Sequence, residues 1–198
     1  MPSLQLAYSW EYTQCDQNHN NLGYSLNLRN QQTVNGITYY DCSSFQWYGL
    51  LNGGFDVEAA YQAATGSTYS GNAITTPYMP AWLTTLGWYE VDINGTWLAG
   101  DIVWRGPGYL GHTYGHCEMV AHGGSASGIT MGAHGDAADG FPAGQQVSVN
   151  SFTSYAANYE KLFRYGSTPP GPGPGPTAEH RMPLMFYMGR LYRRKRWL

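Results

Sequence analysis

The sequence predicts an α+β domain. Two observations carry this: capped, helix-spaced apolar residues fall in the first half of the chain, and the second half breaks into short, turn-bounded runs that partly alternate. Leu4, Leu6, Ala7 and Trp10 suggest an amphipathic helix, followed by a polar Asn/Gln loop. Gly36 marks a turn before Tyr39 and Tyr40. Asp41 is a good N-cap, and Phe45, Tyr48, Gly49 and Leu50 follow at helical spacing until Gly53 and Gly54 stop the run. Residues 80–87 read as a second short helix with a glycine stop. Strands are expected at 88–93, 102–105, 116–122, 129–133, 147–151 and 161–165, as an antiparallel sheet of five or six strands beneath the helices.

The chain has 198 residues, enough for one domain with a real core and too few for two ordinary ones. Residues 1–167 are expected to form that domain. Residues 168–178, TPPGPGPGPTA, read as a Pro/Gly linker, and residues 179–198 as a basic, aromatic tail. Charged residues make up only 12% and aromatics 15%, which argues against disorder and suits a surface for polar polymers such as sugars or peptides. Residues 1–167 hold four basic against twelve acidic groups, so nucleic acid is not expected as a partner of the main domain. The tail holds six basic groups against Glu179 and mixes them with Leu, Phe, Tyr and Trp. It reads either as an anchor for anionic wall polymers or membrane headgroups, or as a solvated end.

Cys15, Cys42 and Cys117 are too few, and odd in number, for a disulfide framework, which fits synthesis in a reducing cytoplasm. No signal peptide opens the chain, and no apolar run is long enough to span a bilayer.

Cys42 is placed in the first turn of the helix capped by Asp41. Unpaired N–H groups and the helix dipole there favour a thiolate and offer donors to an oxyanion. Ser43 and Ser44 are small and are expected to keep the approach open. A cysteine at a helix start also has a plainer reading, as a small buried residue. Cys15 reads as a loop thiol, and Cys117 as a strand residue facing away from His116. The base should be a histidine held by a polar third group. His112, His116, His122 and His134 are the candidates. On a strand, residues 116, 118, 120 and 122 share one face. A hairpin across GGSASG would bring His134 beside His116, at the second nitrogen of its ring.

The stretches Tyr40-Asp41-Cys42-Ser43-Ser44-Phe45, Ala99-Gly100-Asp101-Ile102-Val103, Gly115-His116-Cys117-Glu118-Met119-Val120 and Gly132-Ala133-His134 resemble NlpC-type papain-like cysteine hydrolases. The likeness is to the branch found in phage endolysins that cut wall peptide. Gly23-Tyr24-Ser25 with Arg29 also resembles the stretch before the nucleophile there, and the resemblance covers roughly residues 20–165. It implies a papain-like fold, Cys42 as nucleophile, His116 as general base and His134 as the orienting third residue. Tyr24, Asp41, Ser43 and Asp101 are the expected substrate-binding residues, Tyr24 lining the groove, Asp41 and Ser43 beside the nucleophile and Asp101 in a structural or site-edge role. Two Gly-His pairs depart from the family pattern; His116 is preferred over His112 because a strand follows it. The implied reaction is acyl transfer on bacterial peptidoglycan, by a monomer without metal or organic cofactor, made in the host cytoplasm and acting after release. Two other readings stand beside it. One is a zinc amidase built on His112, His116, Cys117, His122, His134 and Asp136. The other is a non-catalytic wall-binding module using its seven Trp and seventeen Tyr as platforms. The related CHAP class of wall hydrolases shares the nucleophile logic.

Overall fold

The computed structural model describes residues 1–108, 114–124, 128–135, 141–151 and 160–166. His112, Asp136, the linker at 168–178 and the tail at 179–198 lie outside the described residues.

The first half is helical, as expected. Helix α1 (Leu4–Asp16) starts where the Ser3 hydroxyl accepts from the Leu6 amide. It is longer than its first apolar residues suggest, because Tyr8, Glu11 and Cys15 also face inward. Leu6, expected on the apolar face, is exposed. Helix α2 (Cys42–Asn52) begins at a reciprocal cap: the Asp41 carboxylate accepts from the Ser44 amide, and the Ser44 hydroxyl accepts from the Asp41 amide. It ends at Gly53, as the double glycine predicts. Helix α3 (Val57–Thr65), capped by Asp56 and stopped by left-handed Gly66, was not anticipated. Helix α4 (Met79–Thr85) matches the second short helix.

Three short strands between α1 and α2 were also not anticipated: β1 (Leu22–Tyr24), β2 (Gln32–Val34) and β3 (Ile37–Tyr40). They form a small sheet in which β1 runs parallel to β3, so that Tyr24 lies opposite Tyr40. The chain thus leaves this sheet directly into Asp41 and Cys42.

The second half forms the expected antiparallel sheet, with six strands: β4 (Trp88–Val91), β5 (Ile102–Arg105), β6 (His116–His122), β7 (Ile129–Ala133), β8 (Val147–Ser151) and β9 (Glu160–Tyr165). Their spatial order is β4-β9-β5-β6-β7-β8. Side chains of alternate strand residues point to opposite faces. On one face Cys117, Met119, Ala121, Met131, Ala133 and Val147 join Tyr8, Phe45 and Leu50 of α1 and α2 in the main core. On the other, Val120 packs with Trp97, Val103 and Leu162 in a second, smaller core. The Tyr8 hydroxyl donates to the Ala121 carbonyl at 2.8 Å, tying α1 to β6. Among the described residues no helix is long and apolar enough to cross a membrane.

The α1–α2 contact buries a carboxyl. Glu11 packs against Gly49, where an added Cβ would fall 2.1 Å from the Glu11 Oε1 atom. Gln46 Nε2 donates to Glu11 Oε2 at 2.9 Å, while Glu11 Oε1 and Gln46 Oε1 have no partner. Burial pushes the Glu11 pKa well above the usual carboxyl range, against the Gln46 hydrogen bond. A neutral carboxyl avoids burying an unpaired charge beside these unpartnered oxygens. Because the folded state holds the carboxyl proton more tightly than the unfolded chain, its contribution is full below the usual carboxyl range. It is lost as pH rises through the folded value. Glu11→Gln should therefore stabilise the fold by about 1–2 kcal/mol at pH 8 and change little at pH 4. Urea unfolding at the two pH values measures this; equal effects at both would refute the protonated carboxyl.

Candidate active site

The site is assembled from the start of α2, the start of β6 and the end of β7. Cys42 is the first residue of α2 and is buried, 4% exposed. Its Sγ lies 3.9 Å from Thr76 Oγ1 and 4.0 Å from the Gly115 carbonyl oxygen. Gly115 permits this closeness: a Cβ there would stand 2.3 Å from the Arg105 carbonyl oxygen and 2.6 Å from Thr76 Cγ2. The next residue, His116, neighbours the Cys42 sulfur and favours its charged form. Its side chain is 20% exposed, so the pair opens to solvent on the histidine side.

The third group is not where the sequence placed it. His116 Nε2 sits 2.6 Å from Glu118 Oε1, and His134 Nδ1 sits 2.6 Å from the same oxygen. His134 stands behind the carboxylate instead of touching the His116 nitrogen. Strand geometry explains this: Glu118, two residues on, shares the face of His116. The β6–β7 register, Met119 opposite Met131, continues to place His134 opposite His116 and Gly132 opposite Glu118. A glycine there leaves room for the carboxylate between the two rings. The Thr130 hydroxyl donates to Glu118 Oε2, and His134 Nε2 lies 2.9 Å from the Ser148 carbonyl oxygen. The hairpin that pairs the two histidines is thus present, with their ring centroids 6.4 Å apart.

The electrostatics alternate along this chain of groups. The Cys42 thiol is held well below its ordinary pKa: the Cys117 thiol donates to it, and His116 and Thr76 add to this against the cost of burial. Burial works against charge on His116, but Glu118 and the Cys42 sulfur outweigh it and raise its pKa to about 10. Glu118 is buried, which favours its neutral form, yet His134 and His116 hold it well below the usual carboxyl range. These shifts favour thiolate, imidazolium and carboxylate, the ionised pair a cysteine nucleophile requires.

Cys117 faces the helices, away from the Glu118 side of β6, and still reaches the Cys42 sulfur. Cys117→Ala should remove that S–H donor, raise the Cys42 pKa and slow its alkylation by iodoacetamide severalfold at pH 6. Unchanged pH-dependence of alkylation would refute the donor role.

No family model matches the chain, and no curated protein matches it. The site therefore stands on its own geometry.

The remaining expected site residues are in place but differently engaged. The Asp41 carboxylate caps α2 and lies 2.6 Å from Arg29 Nε. Arg29 also donates to Ser43 Oγ at 2.8 Å, to the Ala73 carbonyl at 3.1 Å and to the Ile74 carbonyl. Arg29 thus joins the β1–β2 loop, the cap of α2 and the segment leading to Thr76. Ser43 and Ser44 are buried in this network, so they do not border an open approach, and Asp41 and Ser43 position the nucleophile instead of meeting substrate. Asp101 is buried with both oxygens taken, by Arg164 at 3.0 and 2.7 Å and by the Leu98 amide at 2.8 Å. It clamps β5 to β9 and offers no free oxygen to a ligand. Tyr24 is half-buried at the end of β1, its amide donating to Gln146 Oε1 at 2.7 Å. Cys15 is not a loop thiol; it is buried in the last turn of α1. His122 packs edge-on to Tyr12, six residues along β6 from His116. Among the described residues, His116, Glu118 and His134 also form a group able to hold a metal ion, with ligand atoms within 4.8 Å of one another.

Sequence reasoning missed Glu118, Thr76 and the direct part of Cys117. Glu118 had a signal, a carboxylate two strand positions from the chosen base. Thr76 had none, since only the fold brings it to Cys42. Tyr114, 68% exposed and two residues before His116, is a further candidate for the site's outer wall.

Proposed function

We propose that this protein is a cysteine peptidoglycan hydrolase of papain-like type, similar to phage endolysins, cleaving an amide bond of the bacterial wall peptide. The observation that carries the reading is the Cys42 thiol at the first turn of α2, its charge favoured by neighbouring His116, whose Nε2 is held by the buried Glu118 carboxylate. Helices with the nucleophile at a helix start, packed on an antiparallel sheet that bears the base, support the papain-like assignment.

The chemistry follows from the ionised pair. The Cys42 thiolate attacks the scissile carbonyl, and the amides of the first turn of α2, with the Cys42 N–H foremost, receive the oxyanion. His116 gives its proton to the leaving amine, so the C–N bond breaks and a thioester remains. The neutral His116 then takes a proton from water, the hydroxide adds to the thioester, and the acid leaves as Cys42 returns to thiolate. Glu118 steadies the imidazolium, and His134 and Thr130 fix Glu118.

An enzyme of this kind acts on peptidoglycan as a monomer, and the basic tail adds affinity for anionic wall polymer or membrane surface.

Mass spectrometry of purified wall digested with the protein tests the reading. Fragments with new amino and carboxyl termini, absent after alkylation of the protein, are expected. Fragments carrying only new reducing sugar ends, or none at all, would overturn it. The same spectra name the bond, whether the sugar–L-alanine amide or one within the stem peptide or cross-bridge.

A further inference from the structure

We infer that His116, Glu118 and His134 form a buried site for one zinc-class divalent cation, and that a cation seated there silences the hydrolase. The inhibitory half rests on the function proposed above; the binding half does not.

Three ligand atoms converge: His116 Nε2, Glu118 Oε1 and His134 Nδ1 lie within 4.8 Å of one another. Two imidazoles and a carboxylate are a donor set for zinc and its neighbours, not for calcium or magnesium, which take oxygen. The outer atoms of the group are already tied. His134 Nε2 faces the Ser148 carbonyl at 2.9 Å, and Glu118 Oε2 accepts from Thr130. Such outer contacts orient metal ligands by deciding which ring nitrogen keeps its lone pair. His134 Nδ1 stands 2.6 Å from the Glu118 carboxylate, a contact that either a proton or a metal ion can bridge.

The site is nearly of the right size. Zinc bonds of about 2.0–2.1 Å in a tetrahedron set neighbouring ligand atoms about 3.3 Å apart, so the two 2.6 Å contacts to Glu118 must open by roughly 0.7 Å and the two nitrogens must come to the same separation. The His116 ring is the part able to move, with a side chain 20% exposed against 6% for Glu118 and 3% for His134.

The same burial decides what the cation does. A substrate carbonyl cannot reach a metal enclosed by Glu118 and His134, so the cation does not catalyse. It occupies the nitrogen through which Glu118 steadies His116, and its charge opposes proton uptake on the face turned to Cys42. The nucleophile then lacks its acid and base.

The full-length protein, stripped with EDTA and freed of chelator, is titrated with zinc against a chromophoric chelator and with cobalt by visible absorption. One ion per chain is expected, in the micromolar range or tighter. Glu118→Gln, which keeps the side-chain shape, and His134→Ala should each weaken binding by at least about tenfold. Cys42→Ala should leave it unchanged. X-ray absorption of the zinc-loaded wild type, which needs no variant, should show nitrogen and oxygen neighbours with imidazole scattering and no sulfur. Absence of binding, binding that survives both ligand substitutions, or a sulfur neighbour would overturn the site. These readings hold whether or not the protein digests walls. On a preparation that does, equimolar zinc should stop digestion and EDTA restore it; full activity with the site loaded would overturn the inhibitory role.

Discussion

Replacing Cys42 with alanine should abolish wall digestion, by about four orders of magnitude or more, while leaving the fold intact. The side chain is small, and the cap of α2 rests on Asp41, Ser44 and Arg29 instead of on the sulfur. Cys42→Ser should be nearly as inactive, because a hydroxyl in the same place does not ionise beside an imidazole as a thiol does. The pH profile of the wild type carries the same argument. Lowering pH protonates the thiolate, so the acid limb should lie well below the ordinary thiol range. Raising pH discharges the imidazolium, so the alkaline limb should fall near pH 10. Turbidity loss of wall suspensions and circular dichroism of the variants measure both halves. Undiminished digestion by a folded Cys42→Ala protein would place the chemistry on another group, and the cysteine-hydrolase reading would fail.

What could be read from the chain depended on how local each signal was. The cap at Asp41 and the start of α2 were legible because Asp41 and Ser44, three positions apart, make it. The strands from Ile102 to Ala133 were legible because turns bound each short, partly alternating run. The small β1–β3 sheet was not, since its strands are three or four residues long, and β2 is exposed and holds no alternating core face. Helix α3 escaped because its short Ala-rich run buries only Val57 and Ala60. At the site, the order nucleophile, base and third residue was visible as motifs, but the partner of His116 was decided by strand parity. Residues 116 and 118 were known to share a face, yet the family pattern drew attention to His134. The burial of Ser43 depended on Arg29, fourteen residues away, folding over the helix start. No pattern of spacing announces such a contact.

Glu118→Gln is the substitution that separates a positioning carboxylate from mere core filling. Its shape is kept, so packing against Gly132 and the Thr130 contact survive, but the charge between two imidazoles is lost. Activity should fall by about 10²–10⁴-fold, because the base loses both its orientation and the stabilisation of its protonated form. The loss should appear in kcat with KM little changed, since Glu118 is buried and does not meet substrate. The alkaline limb should move down from near pH 10, as Glu118 is the leading group that raises the His116 pKa. Stability should change as well, by about 3 kcal/mol at neutral pH, the usual penalty for breaking a buried ionic cluster. The sign of its pH-dependence is set by the lowered pKa of Glu118. The contribution is present above the ordinary carboxyl range and disappears as pH falls through the folded value, so wild type and variant should converge in acid. A residue that only fills space would lower the melting temperature without moving the alkaline limb. If Glu118→Gln keeps both its kcat and that limb, the carboxylate does not serve His116, and the base must be held by another group.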